Sequence, residues 1–367
     1  MLLPQNLFFL AGWAILLYFY RPGYLIDVYN GEIKAEKNLG IVALFLSFFP
    51  LVTSGPIERA NPMFGKFGNP PGFVYSKAVK GLQAILWGYF MKLVIADRIA
   101  IYVSEVFSKP DFYSGKSLLF ATLINPIEVY ADLGGYSLIA IGSALIMGFE
   151  VRPNFNRPFF ATSLSVFWRR WHMSFISWLT DYVFIPLTFY FRRYRKWGIV
   201  IALLMTFLIS GLWHGAAITT ILWGFSQGII LSFEVLANDR KKSIENLYNL
   251  KSRWWYIFLS CLNTYLIFAG SFLISGTAGP ISSAIYIIQK IFTDHHDLFI
   301  ENSNIILAFS GVLLLFMSEF RDEYYPGRFL LFDNRNVFVR RASYISVFIL
   351  ILLIGLFQGN GFIYFQY

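Results

Sequence analysis

The sequence has few charged residues and almost no cysteine. Only 14% of its 367 residues are Asp, Glu, Lys or Arg, whereas soluble domains contain about 25%. So few charges cannot cover a water-exposed surface, which excludes a chain of two or three soluble domains as well as a disordered chain. The single cysteine, Cys261, excludes an internal disulfide and a cysteine-based metal site.

The residues that are abundant instead are apolar and aromatic. Hydrophobic residues make up 57% of the chain, with 40 Phe and 10 Trp, more than a core of this size can bury. The composition predicts an all-α, polytopic integral membrane protein with about eight to eleven membrane-embedded helices. The apolar segments are Leu7–Tyr20, 39–53, 81–107, 117–131, 133–149, 198–212, 216–237, 254–275, 304–318 and 343–357.

Several of these segments are shorter than the roughly 20 residues that span a bilayer upright. Short segments are typical of half-helices and re-entrant pieces that pack inside protein, where irregular backbone is tolerated. No fixed repeat and no linker interrupts the sequence. We therefore expect one membrane domain over residues 1–367.

The excess of basic residues indicates how the chain is oriented in the membrane. The net charge is +9, and in a membrane protein Lys and Arg collect in cytoplasmic loops, so no nucleic-acid partner is expected. An acidic loop with Asp294, Asp297 and Glu301 separates two of three basic loops and is expected outside, as is the tail Gln358–Tyr367. The basic loops contain Arg192, Arg193, Arg195 and Lys196; Arg240, Lys241, Lys242, Lys251 and Arg253; and Arg321, Arg328, Arg335, Arg340 and Arg341.

The region from 150 to 216 is unlike a lipid-facing helix. It contains helix-breaking prolines, and it places Arg169, Arg170, His172 and Asp181 among Phe and Trp residues. Ionisable groups next to apolar segments usually face a cavity or a partner and are functional candidates. Two structural alternatives remain: Asp181 pairs with Arg169 or Arg170, or the tryptophans of the Trp168–His172 cluster anchor the membrane interface with these arginines at the headgroups.

The chain has four histidines, and two of them are candidates for catalysis. His295 and His296 lie in the acidic loop and are typical of a solvated polar turn, so no metal site is expected. His214 ends an apolar segment and precedes Gly215; a neutral imidazole, with a pKa of about 6.5, can take a proton from a hydroxyl group. For His214 the alternative is a helix-end residue bonded to a backbone carbonyl, and for His172 it is a set of polar contacts within its own cluster.

Taken together, the motifs resemble the membrane-bound O-acyltransferase superfamily, and most of all its bacterial alginate O-acetyltransferase branch. They occur in order from about residue 24 to the end of the chain. Each motif alone is weak, and the ordered set is specific. The matching segments are YLIDVYNG (24–31), SFFP (47–50), SGPI (54–57), IADR (95–98), NFNRP (154–158), FWRRWHMS (167–174), DY (181–182), IP (185–186), LWHGA (212–216) and FIYFQ (362–366).

The resemblance implies that His214 is the catalytic base and His172 the second signature histidine of an active-site tunnel. Trp213, Asp181, Arg169 and Arg170 would support them. The implied reaction moves an acyl group from a cytoplasmic thioester, foremost acetyl-CoA, to hydroxyls of a cell-surface polysaccharide such as alginate or to a periplasmic SGNH-type relay acetyltransferase. The implied location is the bacterial inner membrane, with no bound cofactor.

Three other interpretations remain open. D-alanyl transfer to teichoic acid belongs to the same superfamily. A transporter would also have short helices and buried charges, but it should show paired halves with similar interruptions, which this sequence lacks. The branch usually has several helices before the YLIDVYNG segment, where this chain has only Leu7–Tyr20, so an N-terminally short, inactive scaffold is the third.

Overall fold

The computed structural model describes residues 22–52, 55–215, 217–275, 280–300, 302–328 and 331–357. These residues form helices and connecting turns, without a β-strand. The helices are α1 (22–29), α2 (Leu39–Ser47), α3 (Phe49–Val52), α4 (Ala60–Gly68), α5 (Tyr75–Phe90), α6 (Asp97–Ser108), α7 (Gly115–Ile146), α8 (Leu164–Trp168), α9 (Met173–Leu179), α10 (Ile185–Tyr190), α11 (Lys196–His214), α12 (Ile218–Leu247), α13 (Trp254–Ser275), α14 (Ile281–Thr293), α15 (Asn302–Tyr324) and α16 (Val337–Ile354).

Six of these helices are long and apolar enough to cross a membrane: α7, α11, α12, α13, α15 and α16. The short helices α8, α9 and α10 lie between α7 and α11 in sequence. The prediction of an all-α, polytopic membrane protein is thereby confirmed. The predicted helix Leu7–Tyr20 and the tail Gln358–Tyr367 lie outside the described residues, as do Ser54 and Ala216 of the matching motifs.

Several details of the predicted segments are wrong. Segment 39–53 contains two helices, α2 and α3. The short segments expected as half-helices, 198–212, 304–318 and 343–357, belong to the long helices α11, α15 and α16. Segments 117–131 and 133–149 belong to a single helix, the 32-residue α7. Asp132 suggested a break between them, but its carboxylate is paired with the Lys92 ammonium group, so the helix passes through this polar position. The two glycines that follow, Gly134 and Gly135, also lie within the helix. At this level α7 comes very close to α5, because a Cβ atom on Gly88 would lie only 2.5 Å from the Gly135 carbonyl oxygen. Close contact between α5 and α7 therefore requires these glycines.

The chain divides into two compact units built from alternating segments. The first comprises the described parts of Met1–Arg98, Val129–Asn154 and Ile306–Tyr367. In it, the π-helical turn Met91–Ala96 connects α5 and α6, and Lys92 Nζ lies 2.8 Å from Asp97 Oδ1 while also contacting Asp132. All three side chains are buried, so this unit contains a buried ion triad.

The second unit comprises Ile99–Glu128 and the described part of Phe155–Ile305. Its centre is the hairpin of α11 and α12, whose backbones touch where Gly211 meets Gly224; a Cβ atom on Gly224 would lie 2.8 Å from the Gly211 Cα atom. The short helices α8 and α9 lie in this same unit. All the candidate catalytic residues therefore belong to one compact unit, while the single domain expected over 1–367 stays a prediction.

Candidate functional site

A pair of backbone turns places His172. The Asn156 amide donates to the Arg170 carbonyl oxygen over 2.9 Å, which closes the segment between them into a loop. Arg157 and His172 both adopt left-handed backbone conformations, with φ of 48° and 45°. His172 then begins α9 as its N-cap residue. Left-handed conformations of non-glycine residues are uncommon and concentrate at functional sites, so this corner has the backbone signature of a site.

The end of α11 places His214. Gly215 stops the helix with φ 156° and ψ 150°, a conformation that glycine adopts readily. The Thr220 hydroxyl donates to the Gly215 carbonyl oxygen over 2.6 Å and so holds the turn into α12. Gly215 is therefore a helix terminator that fixes the position of the His214 imidazole ring.

An aromatic pair brings the two histidines together. Phe175 of α9 stacks on Trp213 of α11 with ring centroids 4.2 Å apart. The His172 ring lies 5.1 Å from Phe175 and 6.2 Å from Trp213. The His214 ring lies 6.0 Å from Phe175 and 4.6 Å from Trp213, and its other neighbour is Trp223 of α12, at 5.1 Å. Both imidazoles therefore contact the same two rings, as expected if they act at one site.

His172 is buried, with 7% of its surface exposed. It lies outside the six long apolar helices, and burial together with the nearby His214 holds its pKa below the ordinary value. A lowered pKa means that the ring is neutral at neutral pH, since burial disfavours the charged form. A neutral imidazole can accept or donate one hydrogen bond at each nitrogen, which suits it to orienting a substrate or a second histidine.

The structure places the other predicted site residues less centrally than the histidines. The exception is Trp213, whose ring contacts the imidazoles of both His172 and His214. Arg170 donates to the Arg157 carbonyl oxygen over 3.3 Å and helps to close the loop. Arg169 and Asp181 are exposed, and Asp181 lies in the π-helical turn Thr180–Phe184 that follows α9.

The interface-anchor interpretation of the Trp168–His172 cluster is wrong. Trp168 and Trp171 are 5% and 4% exposed. Their rings lie 5.9 and 5.0 Å from Phe268 of α13. They are core residues of the second unit, because their apolar area is large and the loop turns them inward.

The remaining two histidines lie in the loop after α14. His295 and His296 are exposed, and His296 Nδ1 lies 2.6 Å from Asp294 Oδ1. Hydrogen bonds from His296 lower the pKa of the Asp294 carboxyl group. Within the described ranges, no three His, Cys, Asp or Glu side chains come together as a metal ion would require.

Sequence reasoning missed the residue that anchors α8. Glu234 of α12 accepts hydrogen bonds at the N-terminus of α8, from the Leu164 amide at 2.7 Å and from the Ser165 amide and hydroxyl at 2.9 and 2.6 Å. A carboxylate there satisfies unpaired amides and interacts favourably with the helix dipole. An isolated Glu in an apolar helix was the available signal, since such residues usually have a specific partner.

We expect Glu234→Gln to weaken the protein and its activity together. The glutamine retains one acceptor but turns an NH₂ group toward amides that need acceptors, and hydrogen bonds to charged groups contribute about 1.5–3 kcal/mol. Thermal unfolding in detergent should show a lower midpoint than wild type. Ser165→Ala, which removes only the hydroxyl contact, should lower it less; equal midpoints for wild type and Glu234→Gln would contradict this role.

Taken together, the fold and the site define a polytopic, all-α membrane protein with a histidine pair inside one helical unit. The model of MBOAT, the membrane-bound O-acyltransferase family, matches residues 38–275. This match covers more than half of the chain and includes both histidines. The chain belongs to the membrane-bound O-acyltransferase family.

Individual relatives show which acyltransferases the chain is similar to. The chain is 36% identical over 251 residues to the "Probable alginate O-acetylase AlgI" of Azotobacter vinelandii, covering 67% of this chain and 48% of that protein. It is 36% identical over 192 residues to the "Peptidoglycan O-acetyltransferase" of Helicobacter pylori, covering 52% and 36%. It is 26% identical over 287 residues to the "Teichoic acid D-alanyltransferase" of Bacillus subtilis, covering 74% and 70%. The chain spans about half the length of the alginate O-acetylases that it matches.

Proposed function

We propose that this protein transfers an acyl group, foremost acetyl, from a thioester to hydroxyl groups of a cell-surface polysaccharide. The observation that carries the proposal is the convergence of His172 and His214 on the Phe175–Trp213 pair, in a chain related to alginate and peptidoglycan O-acetyltransferases. Acetyl-CoA is the donor proposed, and alginate is the acceptor class that the relatives named as alginate O-acetylases support.

In this proposal His214 is the general base. It removes the proton of the acceptor hydroxyl while the hydroxyl oxygen attacks the thioester carbonyl, a contribution of roughly 10²–10⁴-fold. The His214 imidazolium then returns the proton to the leaving thiolate, so that no external proton donor is needed. His172, which contacts the same aromatic pair, orients the reacting groups, and Trp213 and Phe175 hold both rings.

The donor is proposed to approach from the N-terminal end of α11. Arg192, Arg193 and Arg195 lie there with exposed side chains, and three cations in a short loop attract the phosphates of CoA. Lys196 is the exception, because its ammonium group is paired with the Asp239 carboxylate at 2.5 Å. With the basic loops on the cytoplasmic side of a bacterial inner membrane, His214 lies toward the outside, and so does the C-terminal tail.

The acyl donor and the acceptor each have a second candidate. The relative from B. subtilis named for teichoic acid D-alanyl transfer supports a D-alanyl thioester as alternative donor. The acceptor at this site is proposed to be either the polysaccharide itself or a periplasmic SGNH-type acetyltransferase that relays the group. Both alternatives retain the same histidine pair and the same acyl transfer.

The experiment that tests the function supplies both donors to one preparation. Membranes from cells expressing the full-length protein are incubated with labelled acetyl-CoA or with a labelled D-alanyl carrier thioester, with membranes from vector-only cells as control. We expect base-labile label on the polysaccharide fraction from acetyl-CoA only. Label from the D-alanyl donor alone would reassign the donor, and no label from either donor would refute acyl transfer.

A further inference from the structure

Three residues of the second unit have buried polar atoms without a hydrogen-bond partner among the described residues. These atoms are the Oγ atom of Ser210, both carboxamide atoms of Gln227 and the indole Nε1 of Trp168. The three residues are 1%, 0% and 5% exposed. Native proteins pair more than 90% of such buried groups, and an unpaired one costs about 1–3 kcal/mol. Several unpaired buried groups in one unit indicate a role other than stability.

Ser210 and Gln227 lie on the two helices that meet at His214. Ser210 precedes His214 by one turn on the same face of α11, which is about 6 Å along the helix axis. Gln227 follows Trp223 by one turn on the same face of α12. Because the helices are connected by a short turn and the His214 and Trp223 rings touch, both polar residues lie on the same side of this ring contact.

Trp168 joins them from α8. Its ring lies 5.2 Å from Phe207 of α11 and 6.1 Å from Trp223 of α12. The indole thus packs against both helices, within a turn of Ser210 and Gln227. The glycine contact between Gly211 and Gly224 keeps α11 and α12 close at this level. Ser210, Gln227 and Trp168 therefore lie along the same stretch of the α11–α12 hairpin, which begins about one turn from His214 and which we call the polar spot.

The chemistry of this spot favours an acceptor ligand. Trp168 supplies one N–H, Ser210 one O–H and Gln227 two N–H groups, while only Ser210 and Gln227 can accept. A donor-rich set in an apolar, buried setting suits a carbonyl oxygen that becomes negative during reaction. Donors aimed at such an oxygen are usually the largest single contribution to acyl-transfer catalysis.

We propose that Trp168, Ser210 and Gln227 form the oxyanion-stabilising site for the thioester carbonyl. This inference rests on the proposed function, since it requires acyl transfer at His214. The acceptor hydroxyl oxygen bonds to the carbonyl carbon, its proton moves to His214, and the carbonyl electron pair moves onto the oxygen held by the three donors. When the C=O bond re-forms, the C–S bond breaks and the thiolate takes the proton from His214, giving ester and thiol.

The test separates binding from catalysis in full-length protein. Gln227→Met keeps the side-chain length and removes the carboxamide, Ser210→Ala removes one hydroxyl, and Trp168→Phe removes the indole N–H. We expect kcat to fall by roughly 10²–10³-fold for Gln227→Met and by less for the other two, with the KM for the acyl donor unchanged, because an oxyanion exists only after attack.

Two control variants lie one turn away on the same helices. Thr206 and Ser232 are buried too, but their hydroxyls already donate to the Ala202 and Gly228 carbonyl oxygens, so Thr206→Val and Ser232→Ala should leave kcat close to wild type. Each variant is first checked for a monodisperse, inserted protein, and Ser210→Ala is the mildest change if Gln227→Met folds poorly.

The outcomes are distinct. A raised KM with unchanged kcat would make the spot a donor-binding site and overturn the oxyanion role. An active wild type with unaffected Gln227→Met and Ser210→Ala would overturn the inference alone, showing that these groups bond only to water. A wild type without acyl transfer would overturn the proposed function, and with it the inference.

Discussion

His214→Ala is expected to lower acyl transfer by roughly 10²–10⁴-fold, the contribution of a positioned general base. Without the imidazole, the acceptor hydroxyl loses the base that this mechanism assigns to it. The measurement is ester formation on the polysaccharide by membranes from cells expressing each variant, at equal amounts of inserted protein. His214→Gln should be as inactive, because an amide cannot accept a proton at neutral pH.

The matched control is His296→Ala, since that ring is exposed and bonded to Asp294. It should retain the wild-type rate. Inserted His214→Ala protein with full activity would refute the base and would favour the simpler interpretation, in which His214 caps the end of α11. His172→Ala should lose activity as well, but to a smaller extent if it orients rather than transfers the proton.

Much of this site could be predicted from the sequence. Charge, composition and apolar segments predict a polytopic helical protein, and two histidines in polar, proline-rich surroundings are natural candidates. Their convergence could not be predicted from spacing, because it depends on Phe175 stacking on Trp213 across two helices. The burial of Trp168 and Trp171 was equally hidden, since a Trp-Arg-Arg-Trp pattern is typical of a membrane interface and of a core loop alike.

The roles of the buried polar residues could not be predicted from the sequence either. An isolated Glu or Gln in an apolar helix signals a partner without identifying it. Glu234 caps α8, whereas Gln227 meets no hydrogen-bond partner among the described residues. Only packing separates a structural role from a catalytic one here, because both residues lie on α12 and both interrupt an apolar pattern.

Lys92→Met is expected to destabilise the protein by about 3–5 kcal/mol, the usual cost of breaking a buried ion pair. Lys92 is the cation between the Asp97 and Asp132 carboxylates, and all three groups are buried. Methionine fills the volume of the lysine stem, so the loss comes from two carboxylates left near each other without a countercharge. The measurement is the free energy of unfolding in detergent micelles, for wild type and variant.

Lys77→Met, in the helix α5 that leads into the π-helical turn of Lys92, is the matched control. The Lys77 ammonium group lies 2.7 Å from the Glu150 carboxylate, but both side chains reach solvent, at 34% and 66% exposure. An exposed pair contributes about 0–1 kcal/mol, so this variant should stay close to wild type. Equal destabilisation by the two lysine variants would show that burial of the triad does not increase its contribution to the free energy of unfolding.

A rescue experiment separates the charge from the shape of Lys92. Adding Asp97→Asn and Asp132→Asn to Lys92→Met removes every charge of the triad while keeping similar volumes. Because a buried pair contributes little beyond its own desolvation cost, the triple variant should recover most of the lost stability. If it stays as unstable as Lys92→Met alone, the lysine acts through packing in the π-helical turn Met91–Ala96, and the electrostatic explanation is wrong.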